Sequence, residues 1–160
     1  MVCLGNICRS PLAEGILRYK SEKAGLDWLV DSAGTEGYHV GEAPHPLSQK
    51  VARLHGIDIS LHRARKLHLQ DFRDFDLLYA MSSDVLDEII RMKREQPGLN
   101  SPRLIMDEIH PGLNESVPDP YYGPEPGYHT VFGMLDAACG VLINRFLKNQ
   151  PHSFPCDSNM

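Results

Sequence analysis

"CLGNICRSP" fills residues 3–11 of this 160-residue chain, and its reading decides the rest. A cysteine, a glycine, an asparagine, a second cysteine and an arginine are crowded against a helix start. Ser10 can cap that helix, Pro11 suits its first turn and Glu14 lies early in it. Gly5 and Asn6 are residue types that readily adopt positive φ, so the chain can curl with successive N–H groups pointing inward. Such a nest feeding a helix N-terminus binds a tetrahedral oxyanion. Arg9 adds a planar fork matched to two phosphate oxygens. The same donors favour a thiolate at Cys3, and Ser10 can donate to it and assist its later departure. With Leu4, Ile7 and Cys8 completing the curl, the stretch reads as a phosphate cradle with a nucleophile on its floor.

Working outward, the cysteine-to-arginine spacing proves little alone, because Cys139 and Arg145 in "CGVLINR" repeat it. Six helical steps of about 100° carry those two side chains well apart. Val141, Leu142 and Ile143 demand a core, so Cys139 reads as a buried small hydrophobe. Zinc needs more ligands than the two clustered cysteines, and the histidines are scattered, so no metal site is expected. Four cysteines in a chain this long are too sparse for a disulfide scaffold and point to a reducing, cytoplasmic setting. A net charge of −5 without a basic run argues against nucleic acid or an anionic membrane as partner. No apolar run reads as a bilayer span, and no secretory leader precedes the motif.

Short apolar runs alternate with helical periodicity. Residues 28–38, 75–83 and 102–107 read as strands or strand-to-loop segments. Residues 11–25, 46–55, 84–96 and 128–148 read as helices. That order predicts a single α/β domain over residues 1–148, a doubly wound, mostly parallel four-stranded sheet flanked by helices. Residues 149–160 read as a disordered tail. Ligands bind beyond the carboxyl ends of such strands, where the cradle, Ser82–Ser83 and Asp107 all fall.

"VCLGNICRSP" is similar to the signature of the low-molecular-weight protein tyrosine phosphatases. The likeness extends through "DSAGT" (31–35), "HGIDISLHRAR" (55–65), "FDLLYAM" (75–81) and "VPDPYYG" (117–123). It implies hydrolysis of phosphotyrosine proteins or small aryl phosphates through a phosphocysteine, with no metal or organic cofactor, in a monomer. Expelling a phenoxide calls for a placed acid, which contributes roughly 10²–10⁴-fold. Asp119, stiffened between Pro118 and Pro120, matches that acid and, in the second step, the base for water. The resemblance puts Tyr121 and Tyr122 on one wall of the pocket and Tyr38 opposite. It makes Asn6, Ser32 and His62 the support of the cradle, and Cys8 a reversible disulfide partner of Cys3.

Two departures stand out. Ser82 occupies a position where the family commonly has aspartate, so a supporting charge is missing. Only Met1 and Val2 precede the nucleophile, against a usual strand of about five residues. The sequence is therefore expected to be a shortened version of a complete one and to fold poorly as it stands. Two alternatives remain: an arsenate reductase on the same scaffold, which needs relay cysteines not found in residues 76–98, and a phosphate-binding module without turnover.

Overall fold

The computed structural model describes residues 1–94, 96 and 98–149. Its centre is a four-stranded parallel sheet in the order β2-β1-β3-β4. The strands are β1 Val2–Cys3, β2 Ala33–Gly34, β3 Tyr79–Ala80 and β4 Arg103–Leu104. Val2 registers with Ala33 on one side and with Ala80 on the other. Parallel neighbours need crossovers, and helices supply them. Helix α1 (Arg9–Lys23) returns β1 to β2, α2 (Pro46–Leu54) and α3 (Asp71–Asp74) lie between β2 and β3, and α4 (Ser83–Lys93) joins β3 to β4. Helix α5 (Glu125–Asn149) closes the fold by packing chiefly on α1.

Alternation along each strand sorts its side chains into two cores. Cys3, Tyr79 and Met81 join Leu12, Ile16, Val51, Tyr128 and Leu135 under α1, α2 and α5. Val2, Ala33 and Ala80 join Phe72, Val85, Ile89 and Leu104 under α3 and α4. The sheet is thus covered on both faces, as the alternating elements predict.

Several boundaries differ from the sequence reading. Of residues 28–38 only Ala33–Gly34 joins the ladder, and "PRLIMD" gives two strand residues before a 3₁₀ turn, Ile105–Glu108. The four-residue α3 was not foreseen. Helix α5 begins at Glu125 rather than Tyr128 and corrects the statement about apolar runs: its mean hydropathy reaches 1.4, enough by length and composition to cross a bilayer. Here its apolar stripe, including Val131, Leu135, Ala138 and Leu142, is buried against the domain. Of the expected tail, residues 149–160, Asn149 is instead the last residue of α5, and residues 150–160 lie outside the described residues.

Met1 is tied to the segment that leads into β2. The Met1 ammonium donates to the Asp31 carbonyl at 2.9 Å, and Met1 O accepts from Ala33 N–H at 3.0 Å. Burial pushes the basicity of that amino group below its ordinary value. Beside it lies a cavity of about 270 Å³ lined by Leu17, Trp28, Leu29, Leu77, Tyr79 and Phe146, at the end of the sheet opposite the cradle.

Candidate active site

The cradle forms where β1 runs into α1. Its shape follows from where its carbonyls are tied. The oxygens of Cys3 and Leu4 accept from Thr35 and Glu36 N–H, that of Ile7 from His45 N–H, and that of Cys8 from Ser48 Oγ. In a planar trans peptide the N–H points opposite the carbonyl. Fastening these four oxygens outward therefore turns the N–H groups of Leu4, Gly5, Cys8 and Arg9 toward the loop centre. Gly34 permits the close approach, since a Cβ there would lie 2.7 Å from Leu4 O.

Cys3 lies on the floor of the loop. Its Sγ receives the Asn6 N–H at 3.2 Å and is 3.0 Å from Ser10 Oγ. Ser10 is thus not the helix cap: Cys8 holds that position without a side-chain bond, and the Ser10 hydroxyl turns inward. The turn at Asn6 has φ 58°, a left-handed conformation costly for a non-glycine residue. Its amide is held on both ends. Nδ2 donates to Ser10 Oγ at 2.8 Å and Ser32 Oγ at 2.9 Å, while Oδ1 accepts from Arg65 N–H at 3.0 Å and lies 3.1 Å from His62 Nε2.

Beneath this group sits a carboxylate that sequence reasoning treated only as an early helical charge. Glu14 is buried, accepts from Ser32 Oγ at 2.5 Å and from Arg18 at 2.5 Å, and faces His62 Nδ1 at 3.2 Å. Burial alone would raise the Glu14 carboxyl, but hydrogen bonds from His62 and Ser32, with Arg18 beside it, hold it below the usual carboxylate range. The available signal was an acid four residues after Ser10, and so on the same side of α1 as the hydroxyl that turns toward Cys3. A glutamate whose folded-state value is depressed adds stability above its unfolded value of about 4.3, and loses it as pH falls through the folded one. Glu14→Gln is expected to cost about 3 kcal/mol at pH 7, with the gap to wild type closing in acid. Urea unfolding at pH 7 and near pH 3.5 checks this, and a pH-independent gap would count against a paired carboxylate.

The mouth of the cradle is a cleft of about 150 Å³. Cys3, Leu4, Gly5, Ile7, Cys8, Arg9, Tyr38, Asp119, Tyr121 and Tyr122 line it, so the separate sequence segments do converge. Arg9 donates to Val117 O and to Asp119 Oδ2, each at 3.2 Å. Asp119 Oδ1 accepts from Tyr121 N–H, which ties the aspartate to the start of the tyrosine pair. Tyr121 and Tyr122 meet edge to face at 4.8 Å, and both Tyr122 and Tyr38 are largely exposed. His39, not anticipated, completes the lining: its Nδ1 is 2.9 Å from Glu42, and its ring fills the space a side chain at Gly5 would need.

The other cysteines differ. Cys139 is fully buried, and burial pushes its thiol up to about 12, so it is the inert core residue its helix suggested. Cys8 is a free, buried thiol also pushed up to about 12, with Sγ 3.9 Å from Tyr128 Oη. Ser82 is buried at the head of α4, and its hydroxyl has no hydrogen-bond partner among the described residues.

A sequence profile described as low molecular weight phosphotyrosine protein phosphatase matches residues 1–152. The chain belongs to that family. A Schizosaccharomyces pombe protein named low molecular weight phosphotyrosine protein phosphatase is 44% identical over 131 residues, 79% of this chain and 82% of the relative. Among solved structures, Bacillus subtilis YfkJ aligns with TM-score 0.84 at 34% identity, covering 94% of each chain. The Drosophila arginine phosphatase DARP aligns with TM-score 0.86 at 31% identity, covering 93% of this chain and 97% of its own. For a low-molecular-weight phosphatase chain, then, the fold is as the resemblance implied. The hidden part is Glu14 and Arg65 beneath the loop, with His39 and His45 beside it.

Proposed function

We propose that this protein hydrolyses phosphotyrosine and small aryl phosphates through a phosphocysteine intermediate, with Cys3, Arg9 and Asp119 as its catalytic residues. The observation that carries this is Cys3 Sγ, lying among the Asn6 N–H and Ser10 Oγ at the base of a loop whose amides face inward. Inward N–H groups and the Arg9 fork neutralise the three non-bridging oxygens of a bound phosphoryl group. The Cys3 thiolate attacks phosphorus and forms the S–P bond as the P–O bond to the aryl group breaks. Asp119 gives its proton to the departing phenoxide. The resulting carboxylate takes a proton from water, whose oxygen attacks phosphorus and breaks the S–P bond. The thiolate returns to the hydrogen bond with Ser10.

Lining by Leu4, Ile7 and three tyrosines suits a flat phosphorylated ring, although tyrosine faces also stack on a planar guanidinium. DARP, named an arginine phosphatase, makes the comparison worthwhile. The test is acid quenching during turnover of a phosphotyrosine peptide, followed by mass spectrometry. Phosphate is expected on the peptide bearing Cys3. Turnover without that adduct would overturn the mechanism, and faster hydrolysis of phosphoarginine than of phosphotyrosine would overturn the substrate class.

A further inference from the structure

His45 meets four separate parts of the site at once. Its backbone N–H donates to Ile7 O of the cradle at 2.8 Å. Its Nδ1 accepts from Leu47 N–H at 3.2 Å and so caps α2. One face of its ring stacks on Tyr128, with centroids 5.1 Å apart and planes at 23°. The ring also meets Tyr121 nearly at right angles, 5.9 Å away. Tyr128 is fully buried in α5, whereas Tyr121 is partly exposed on the loop that carries Asp119. His45 is therefore the bridge between an immovable ring and a ring that borders the cleft.

We propose that His45 is a positioning residue for the substrate pocket: its imidazole braces Tyr121 against Tyr128, and this bracing sets the preference for aryl over non-aryl phosphates. The inference rests on the phosphatase reading. Loops are the mobile part of a fold, and among the described residues the loop of residues 117–124 has few hydrogen bonds to the rest of the domain: Val117 to Met81 and Arg9, and Asp119 to Arg9. Tyr121 contributes a wall only while its ring is held over the cleft. His39 also faces it at 6.0 Å, but His39 is itself on a surface segment and tied to the exposed Glu42. Burial holds the His45 imidazole below its ordinary value, consistent with a neutral ring whose Nδ1 accepts.

The cap and the brace can be separated. His45→Asn keeps an oxygen able to cap α2 but removes the ring. His45→Phe keeps a ring for the two tyrosines but removes the acceptor. Calorimetry with benzylphosphonate and with inorganic phosphate reads pocket and cradle independently of turnover. His45→Asn is expected to weaken benzylphosphonate about fivefold, the scale of one aromatic pair, while phosphate affinity changes less than about twofold. His45→Phe is expected to keep benzylphosphonate affinity and lower Tm. KM for para-nitrophenyl phosphate should follow the benzylphosphonate result. Unchanged benzylphosphonate affinity in His45→Asn, or equal weakening of both ligands, would overturn the brace. Absent turnover with an intact difference between the two ligands would instead strike at the phosphatase reading.

Discussion

Cys3→Ser is expected to abolish hydrolysis of an aryl phosphate, a loss of about 10⁴-fold or more, because a hydroxyl has no comparable anion to attack phosphorus at neutral pH. Cys139→Ser is expected to keep turnover within about twofold and to cost about 1–2 kcal/mol of stability, the price of a hydroxyl in an apolar core. The pair is informative because both cysteines sit at the same spacing from an arginine, yet Cys3 alone lies in the curled loop. Steady-state kinetics with melting curves on all three proteins decide it. Turnover near the wild-type rate in purified Cys3→Ser would remove Cys3 from the mechanism, and abolished turnover in a folded Cys139→Ser would overturn the reading of Cys139 as an inert core residue.

Asp119→Ala is expected to act selectively. With phenyl phosphate, whose leaving group needs a proton, kcat should fall roughly 10²–10³-fold. With an activated leaving group of low pKa the fall should be much smaller. The aspartate also pairs with Arg9 at 3.2 Å across a half-exposed mouth, so its removal frees the arginine for phosphate. Inorganic phosphate is accordingly expected to inhibit Asp119→Ala more tightly than wild type. Equal losses across leaving groups, with phosphate inhibition unchanged, would leave Asp119 as an ordinary turn residue.

What could be read from the residues was whatever local chemistry dictates. Cys3, Gly5, Asn6 and Arg9 share one turn, so their types alone announce an anion site. Asp119 was legible through its two flanking prolines together with the cradle. The layer beneath was not legible, because Glu14 acquires meaning only against Ser32 and His62, far along the chain. Arg65 supports Asn6 through its main chain, which no side-chain pattern reveals, while its guanidinium is clamped by Asp31 and Asp71. Ser10 illustrates the opposite error. Its type suits a cap, but the nearby thiol and the Asn6 amide compete for the hydroxyl and win. Strand lengths were overestimated because apolar composition does not say how many residues find a ladder partner: β3 and β4 pair at two positions only.

The amide of Asn6 is gripped from three directions: by Ser10 of α1, by Ser32 just ahead of β2 and by the segment reaching His62 and Arg65. None of these can let go without the other parts of the domain moving. Loss of the anion pocket and loss of the domain should then be one cooperative event, so thermal inactivation and the unfolding endotherm are expected to share a midpoint. A catalyst built this way tolerates no partly melted yet competent form, and its working temperature ceiling is that of the whole molecule.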